Sequence, residues 1–170
     1  KDYNLVENEA VKRLYRDADP NVVIHLAATV GGIGANRANP GMFFYNNLMM
    51  GAQMMEQGRI YGIEKFVAIG TVCAYPKYTP VPFKEENLWN GYPEETNAPY
   101  GLAKIADEYY ASVFSGLFRL PTIALRYFNV YGPRQRPDSM YAAAVPIFAR
   151  RLLDGKPVTI YGDGGQTRDL

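Results

Sequence analysis

A chain of 170 residues with 48% hydrophobic and 21% charged residues has the size and composition of a globular domain with its own core. Its net charge of +1, with no basic run, excludes the electrostatic footprint of a nucleic-acid or anionic-membrane binder. Cys73 is the single cysteine, which excludes an intrachain disulfide and points to a reducing, cytoplasmic setting. The apolar run 22–30 falls short of the roughly 18–20 residues that cross a bilayer. No signal peptide opens the chain, and Lys1-Asp2-Tyr3 reads as mid-protein sequence.

Residues 5–18 place Val6, Ala10, Val11 and Leu14 at helical spacing, and Asp19-Pro20 ends that helix. Val22-Val23-Ile24-His25-Leu26 follows as a strand expected to be buried on both faces, as in a parallel sheet. Ala27 and Ala28 then stand where a bulky side chain would block backbone or ligand approach. Residues 30–36 form a glycine-rich loop, open to reading as a connector or a ligand contact. The dinucleotide fingerprint needs its glycines between a first strand and first helix, and this loop lies elsewhere.

After Pro40, residues 41–61 are expected to form a long helix carrying five of the six methionines, apolar almost all the way round. Packing alone and a face shared between the core and a partner are the two readings of this pattern. Gly62 ends it as a C-cap. Phe66–Gly70 is the second strand, and Thr71 to Pro76 lie past its carboxyl end, where open α/β sheets place ligand-contacting groups. Residues 76–97 are rich in Pro, Glu and Asn and suit an irregular loop around a site. Asn97 as cap and Pro99 in the first turn open a helix over 98–118. Residues 122–126 form a third strand, 144–154 another helix, 157–161 a short strand and 162–170 a polar turn.

The chemistry concentrates on Tyr100 and Lys104. On the 98–118 helix they sit at i and i+4, one turn apart on one face. An ammonium beside a phenol favours the phenolate, so the Tyr100 pKa is expected below about 10. Tyr61 and Lys65 match the same spacing, but Gly62 interrupts them and they precede the second strand, at the opposite end of the sheet. Alternating strands and helices give a parallel, right-handed wound sheet. That winding brings Thr71 and Tyr100 to the same crevice.

These motifs, in order, are His25-Leu26-Ala27-Ala28, the Thr71 to Tyr75 strand end, Tyr100-x-x-x-Lys104 and Arg126 to Pro133. Together they resemble the extended short-chain dehydrogenase/reductase family of NAD(P)-dependent nucleotide-sugar epimerases, dehydratases and reductases. The resemblance implies a Rossmann-like, doubly wound parallel sheet and NADP or NAD as cofactor. It implies hydride exchange at sugar C4 with Tyr100 as acid/base, Lys104 on the nicotinamide ribose and Thr71 on the reacting oxygen. Ala27, Ala28 and Asn47 would lie along the cofactor. Asn129, Arg151 and Arg168 would hold the diphosphate sugar, as planar guanidinium groups suit.

Residues 25–104 are most similar to the GDP-L-fucose synthase branch, in which a cysteine at the Cys73 position is an acid/base for epimerisation. A small buried thiol is the other reading of Cys73. The histidine that branch uses has no match here, its position falling near Ala143. Residues 107–170 are most similar to the UDP-glucose 4-epimerase branch, so the chain is either a divergent member or a composite joined near 104–110. The family's Gly-x-x-Gly-x-x-Gly turn and the residue selecting NAD over NADP do not occur in this sequence.

The chain is therefore expected to be part of a larger enzyme, lacking the first βαβ unit and most of the substrate lobe. Residues 1–133 would be the dinucleotide-binding part and 134–170 the start of that lobe. By itself it would expose an unpaired strand edge at Val22–Leu26 and bind cofactor weakly or not at all. Homodimerisation would run through the helices near 41–61 and 98–118. The alternative from another class is a non-catalytic Rossmann-like module that binds or oligomerises through the methionine-rich helix.

Overall fold

The computed structural model describes residues 3–31, 33–138, 144–160 and 162–167. They fall into two compact units, 1–126 and 127–170. In the first, α1 (Asn8–Ala18) leads into β1 (Val22–His25). Then come α2 (Ile33–Ala38), α3 (Pro40–Tyr61) and β2 (Lys65–Thr71). A 3₁₀ turn (Val72–Ala74) and a second one (Glu85–Trp89) precede α4 (Ala98–Phe118) and β3 (Thr122–Tyr127). The second unit holds α5 (Ala144–Leu153).

The sheet has the order β1-β2-β3, and β1 pairs with β2 in parallel from Val22 opposite Lys65 to His25 opposite Ala68. This is the α/β, Rossmann-like parallel arrangement expected from the alternating elements. β1 stands at the sheet's edge.

The core forms where α1, α3 and α4 meet one face of the sheet. Val11 and Tyr15, Val23 and Phe66, Met54 and Met55, and Ala111 and Phe114 pack there as one cluster. Tyr15 is buried yet satisfied, because its hydroxyl donates to the Met54 carbonyl at 2.6 Å. The buried positions of α3, from Phe43 through Asn47, Met50, Met54 and Met55 to Gly58, recur every three or four residues as a stripe. Gly62 closes α3 at φ 73°, a left-handed conformation that glycine adopts without a Cβ penalty.

Four expectations need correction. β1 is covered on one face only. Val23 and His25 are buried, while Val22 and Ile24 on the alternate positions are exposed, because the helices of this unit lie on one side. The glycine-rich stretch is not all loop. Residues from Ile33 wind into the short α2, and the Asn36 side chain donates to the Gly31 carbonyl across its start.

Asn97 does not cap α4 with its own side chain. Glu94 does the work instead, accepting from the backbone N–H of Thr96 (3.1 Å) and of Asn97 (3.2 Å) and from the Thr96 hydroxyl. A carboxylate at a helix N-terminus also meets the positive end of the dipole. Finally, residues 157–160 form no strand; no described residue pairs with them. Position 161 lies outside the described residues.

Candidate active site

The site is assembled at the carboxyl end of β2. Thr71 is extended, and its Oγ1 accepts the Cys73 N–H at 3.2 Å, which turns the chain off the strand into the 3₁₀ turn. Gly101 lets α4 close on that turn: a Cβ there would stand 2.5 Å from the Cys73 carbonyl oxygen. This approach brings the Tyr100 hydroxyl close enough to the Thr71 side chain for Thr71 to pull the phenol's pKa down. Tyr100 is half-buried and Lys104, one turn on, is buried. The Tyr61–Lys65 match is split between the end of α3 and the start of β2, as expected.

The electrostatics differ from the expectation in sign. Burial first, then the neighbouring Cys73 and Asp107 charges, push the Tyr100 phenol up to about 12, against the pull of the Thr71 hydrogen bond. Tyr100 is therefore a protonated phenol at neutral pH, not a phenolate made by Lys104. The Lys104 ammonium is instead directed at Asp107, with Nζ 3.6 Å from Oδ2. Burial lowers the Lys104 pKa, and the Asp107 carboxylate works against that. Burial raises Asp107 to about 7, held back by Lys104. His25, buried on β1 beside the Phe66 ring, is pushed down to about 4 by burial and then by the Lys104 charge.

Sequence reasoning missed Asp107 and His25 as neighbours of the site. It also missed the network behind it. Arg126 of β3 makes a two-point pair with Glu108 of α4 at 2.5 and 2.9 Å. The same guanidinium donates to the Tyr75 hydroxyl (2.8 Å) and the Glu85 carbonyl (2.9 Å).

Asn47, buried on α3, bonds to both the N–H and the carbonyl of Thr29 and to the Phe43 carbonyl. Its polar atoms are thus committed to holding the segment after β1, where Ala27 is exposed and Ala28 half-buried. Cys73 is half-buried with a free thiol. The loop 76–97 walls a cleft of about 360 Å³ between Lys77, Tyr78, Asn87 and Tyr92, which Thr71, Tyr100 and Lys104 do not line. In the second unit, Asn129 is half-buried after β3. Arg151 on α5 is exposed and donates to the Pro157 carbonyl at 3.0 Å. Arg168 and the Ala143 position lie outside the described residues.

All 170 residues, 1–170, match the model of the NAD dependent epimerase/dehydratase family. The chain is 36% identical to the GDP-L-fucose synthase of Sinorhizobium fredii over 172 residues, which cover 98% of this chain and 55% of that protein. It is 36% identical to a putative UDP-glucose 4-epimerase of Methanocaldococcus jannaschii over 155 residues, 89% of this chain and 48% of that one. The crystal structure of the UDP-glucose 4-epimerase of Thermotoga maritima with UDP-glucose superposes with a TM-score of 0.85 at 33% identity. It covers 99% of this chain and 53% of that one. The chain thus spans about half the length of the relatives it matches. It belongs to the NAD dependent epimerase/dehydratase family.

Proposed function

We propose that this chain carries the proton-handling part of a nucleotide-sugar oxidoreductase, acting on a GDP-linked 4-keto-6-deoxy sugar as a 3,5-epimerase and 4-reductase. The observation that carries the reading is the convergence of Thr71, Tyr100 and Lys104 at the end of β2, with Tyr100 held protonated. A phenol that keeps its proton at neutral pH suits delivery of that proton to a carbonyl oxygen as it gains charge. The likeness to the Sinorhizobium GDP-L-fucose synthase supports the substrate class.

In this reading Tyr100 gives its proton to the substrate oxygen and Thr71 holds that oxygen by a hydrogen bond. A bound NADP or NAD supplies the hydride chemistry. The residues present suit the nicotinamide-ribose half of such a dinucleotide. Ala27 and Ala28 leave room at the strand end, and Asn47 fixes the segment that bears them. Lys104, with its nearest carboxylate oxygen 3.6 Å away, keeps donor capacity for ribose hydroxyls. Cys73, two residues past Thr71, moves the protons on carbons beside the carbonyl. Asn129, Arg151 and Arg168 hold the diphosphate, where guanidinium groups match its charge and geometry.

Residues 1–133 form the dinucleotide-binding part and 134–170 the start of a substrate lobe. A second copy packs on α3 and α4, which lie against each other and expose Met42, Tyr45 and Tyr109. No helix among the described residues is long and apolar enough to cross a membrane; the reading of a cytoplasmic enzyme rests on the single cysteine, Cys73.

A second reading, a UDP-glucose 4-epimerase, is favoured by the likeness to the Methanocaldococcus and Thermotoga proteins. Turnover by the complete reading frame on GDP-4-keto-6-deoxymannose with NADPH, against UDP-galactose with NAD, separates the two. Tyr100→Phe should lower the productive activity by about 10²–10⁴-fold. Full activity in that variant overturns the mechanism.

A further inference from the structure

Within the site just proposed, one buried charge has no part in the chemistry assigned so far. Asp107 is 4% exposed, and neither carboxylate oxygen has a hydrogen-bond partner. Among the described residues its one ion pair is with Lys104 at 3.6 Å, with both side chains buried. A carboxylate so placed is costly unless its charge is used, because burial without hydrogen bonds leaves its desolvation uncompensated. The chain also makes room for it. Gly51 sits in the middle of α3, where glycine costs about 1 kcal/mol relative to alanine, and a methyl group there would overlap both Asp107 oxygens. The gap at Gly51 and the acid at Asp107 are therefore a matched pair across the α3–α4 contact.

We propose that Asp107 is a positioning residue for this site: seated on Gly51, it holds the Lys104 ammonium on the α3 side and offsets the charge that Lys104 presents to Tyr100. This rests on the reading of Tyr100 and Lys104 given above. The groups that face the pair fit the role. Tyr100 lies on α4 itself, His25 approaches from β1, and Cys73 faces Tyr100 from the turn after β2. From α3 the facing residue is Gly51, without a charge. Glu108, the adjacent acid, is taken by Arg126 and is not available to Lys104. Asp107 adds to the burial that keeps Tyr100 protonated, which biases the site toward giving a proton. Lys104, held at 3.6 Å from Asp107, would be the group to engage the ribose of a bound dinucleotide, and its pair with Asp107 would then loosen.

The test uses the intact protein with two readouts. Carboxyl-labelled aspartate NMR, with the signal assigned by its loss in Asp107→Asn, follows Asp107 without substrate or cofactor. In the parent this carboxyl should titrate near 7, and Lys104→Met should move it higher by about one pH unit or more. Next, the pH dependence of kcat/KM in Asp107→Asn should show its Tyr100 limb displaced to lower pH by about one unit. Gly51→Ala, which pushes the carboxylate from its seat, should displace it the same way. An Asp107 signal indifferent to Lys104→Met overturns the proposal, as does a limb that stays in place in both variants while melting temperatures hold. Absence of turnover in the parent would count against the functional reading alone, since the NMR titration still decides the Asp107–Lys104 coupling.

Discussion

The Asn47 carboxamide grips Thr29 on both sides of its residue, accepting the Thr29 N–H at 2.9 Å and donating to the Thr29 carbonyl at 2.9 Å. A third bond runs to the Phe43 carbonyl on its own helix. One buried side chain thus ties α3 to the segment that carries Ala27 and Ala28. Asn47→Ala should lose all three bonds and strand the Thr29 N–H. At about 1 kcal/mol per bond, a loss of about 2–3 kcal/mol is expected, read by urea denaturation. Affinity for NAD(P)H should fall more than in a variant of equal stability elsewhere, because the strand-end segment is then untethered. Equal affinities in the two would remove Asn47 from the site.

Arg126 is the tie between β3, α4 and the loop 76–97. Its two-point pair with Glu108 is only 14% and 21% exposed, and its other donors reach Tyr75 and Glu85. Glu108→Ala leaves a largely buried guanidinium without its carboxylate, at a cost of about 3 kcal/mol. The loop should also become the first site of limited proteolysis, since Arg126 no longer has a fixed position from which to hold Glu85. Cleavage elsewhere first would show that the loop is held by other contacts.

How much of this was legible in the sequence follows from what each residue's neighbours are. Gly62, Pro40 and Pro99 act on their own backbone, so the ends of α3 and the start of α4 could be read within a residue or two. The i, i+4 spacing of Tyr100 and Lys104 and the strand end at Thr71 are likewise local. Asp107 and Glu108 were not separable, as adjacent acids on a helix both look solvated. They point about 100° apart, one into the gap at Gly51 and the other to Arg126, and both partners are distant in sequence. The raised Tyr100 pKa was missed because its largest cause is burial, made by packing between elements distant in sequence, with Cys73 and Asp107 adding to it. Spacing gave the ammonium, but not the carboxylate that draws it away. The Glu94 cap was hidden by Asn97, a better cap residue by type but not by position.

His25 and Asp107 make opposite contributions to stability over one pH window. His25 is near 4 in the fold against an ordinary 6.5, so between those values the unfolded chain binds the extra proton. Its contribution is complete above 6.5 and is lost as pH falls toward 4. Asp107 is near 7 in the fold against an ordinary 3.8, so there the folded chain binds the extra proton. Its contribution is complete below 3.8 and is lost as pH rises toward 7. Each slope is at most about 1.4 kcal/mol per pH unit. His25→Phe should therefore make the protein gain stability on acidification from pH 6.5 to 5, and Asp107→Asn should make it lose more than the parent does. Thermal melts across that range read both, and parallel curves for all three proteins would sink the assignment of these two groups.

The same substitution at two glycines of α4 should have opposite outcomes. Gly116 is helical, with open space where a Cβ would stand. Gly116→Ala should stabilise by about 0.5–1 kcal/mol, because alanine has less backbone freedom to lose on folding. Gly101 has the Cys73 carbonyl oxygen 2.5 Å from that position, a backbone atom that cannot swing aside. Gly101→Ala must therefore lift α4 off the turn after β2, separating the Tyr100 hydroxyl from Thr71 along with the backbones that carry them. Displacing reacting groups by about an ångström can cost about 10²-fold in rate, so kcat should fall by that order while the fold persists. If Gly101→Ala matches the parent in turnover, the packing of α4 on the turn does not set the geometry of Tyr100.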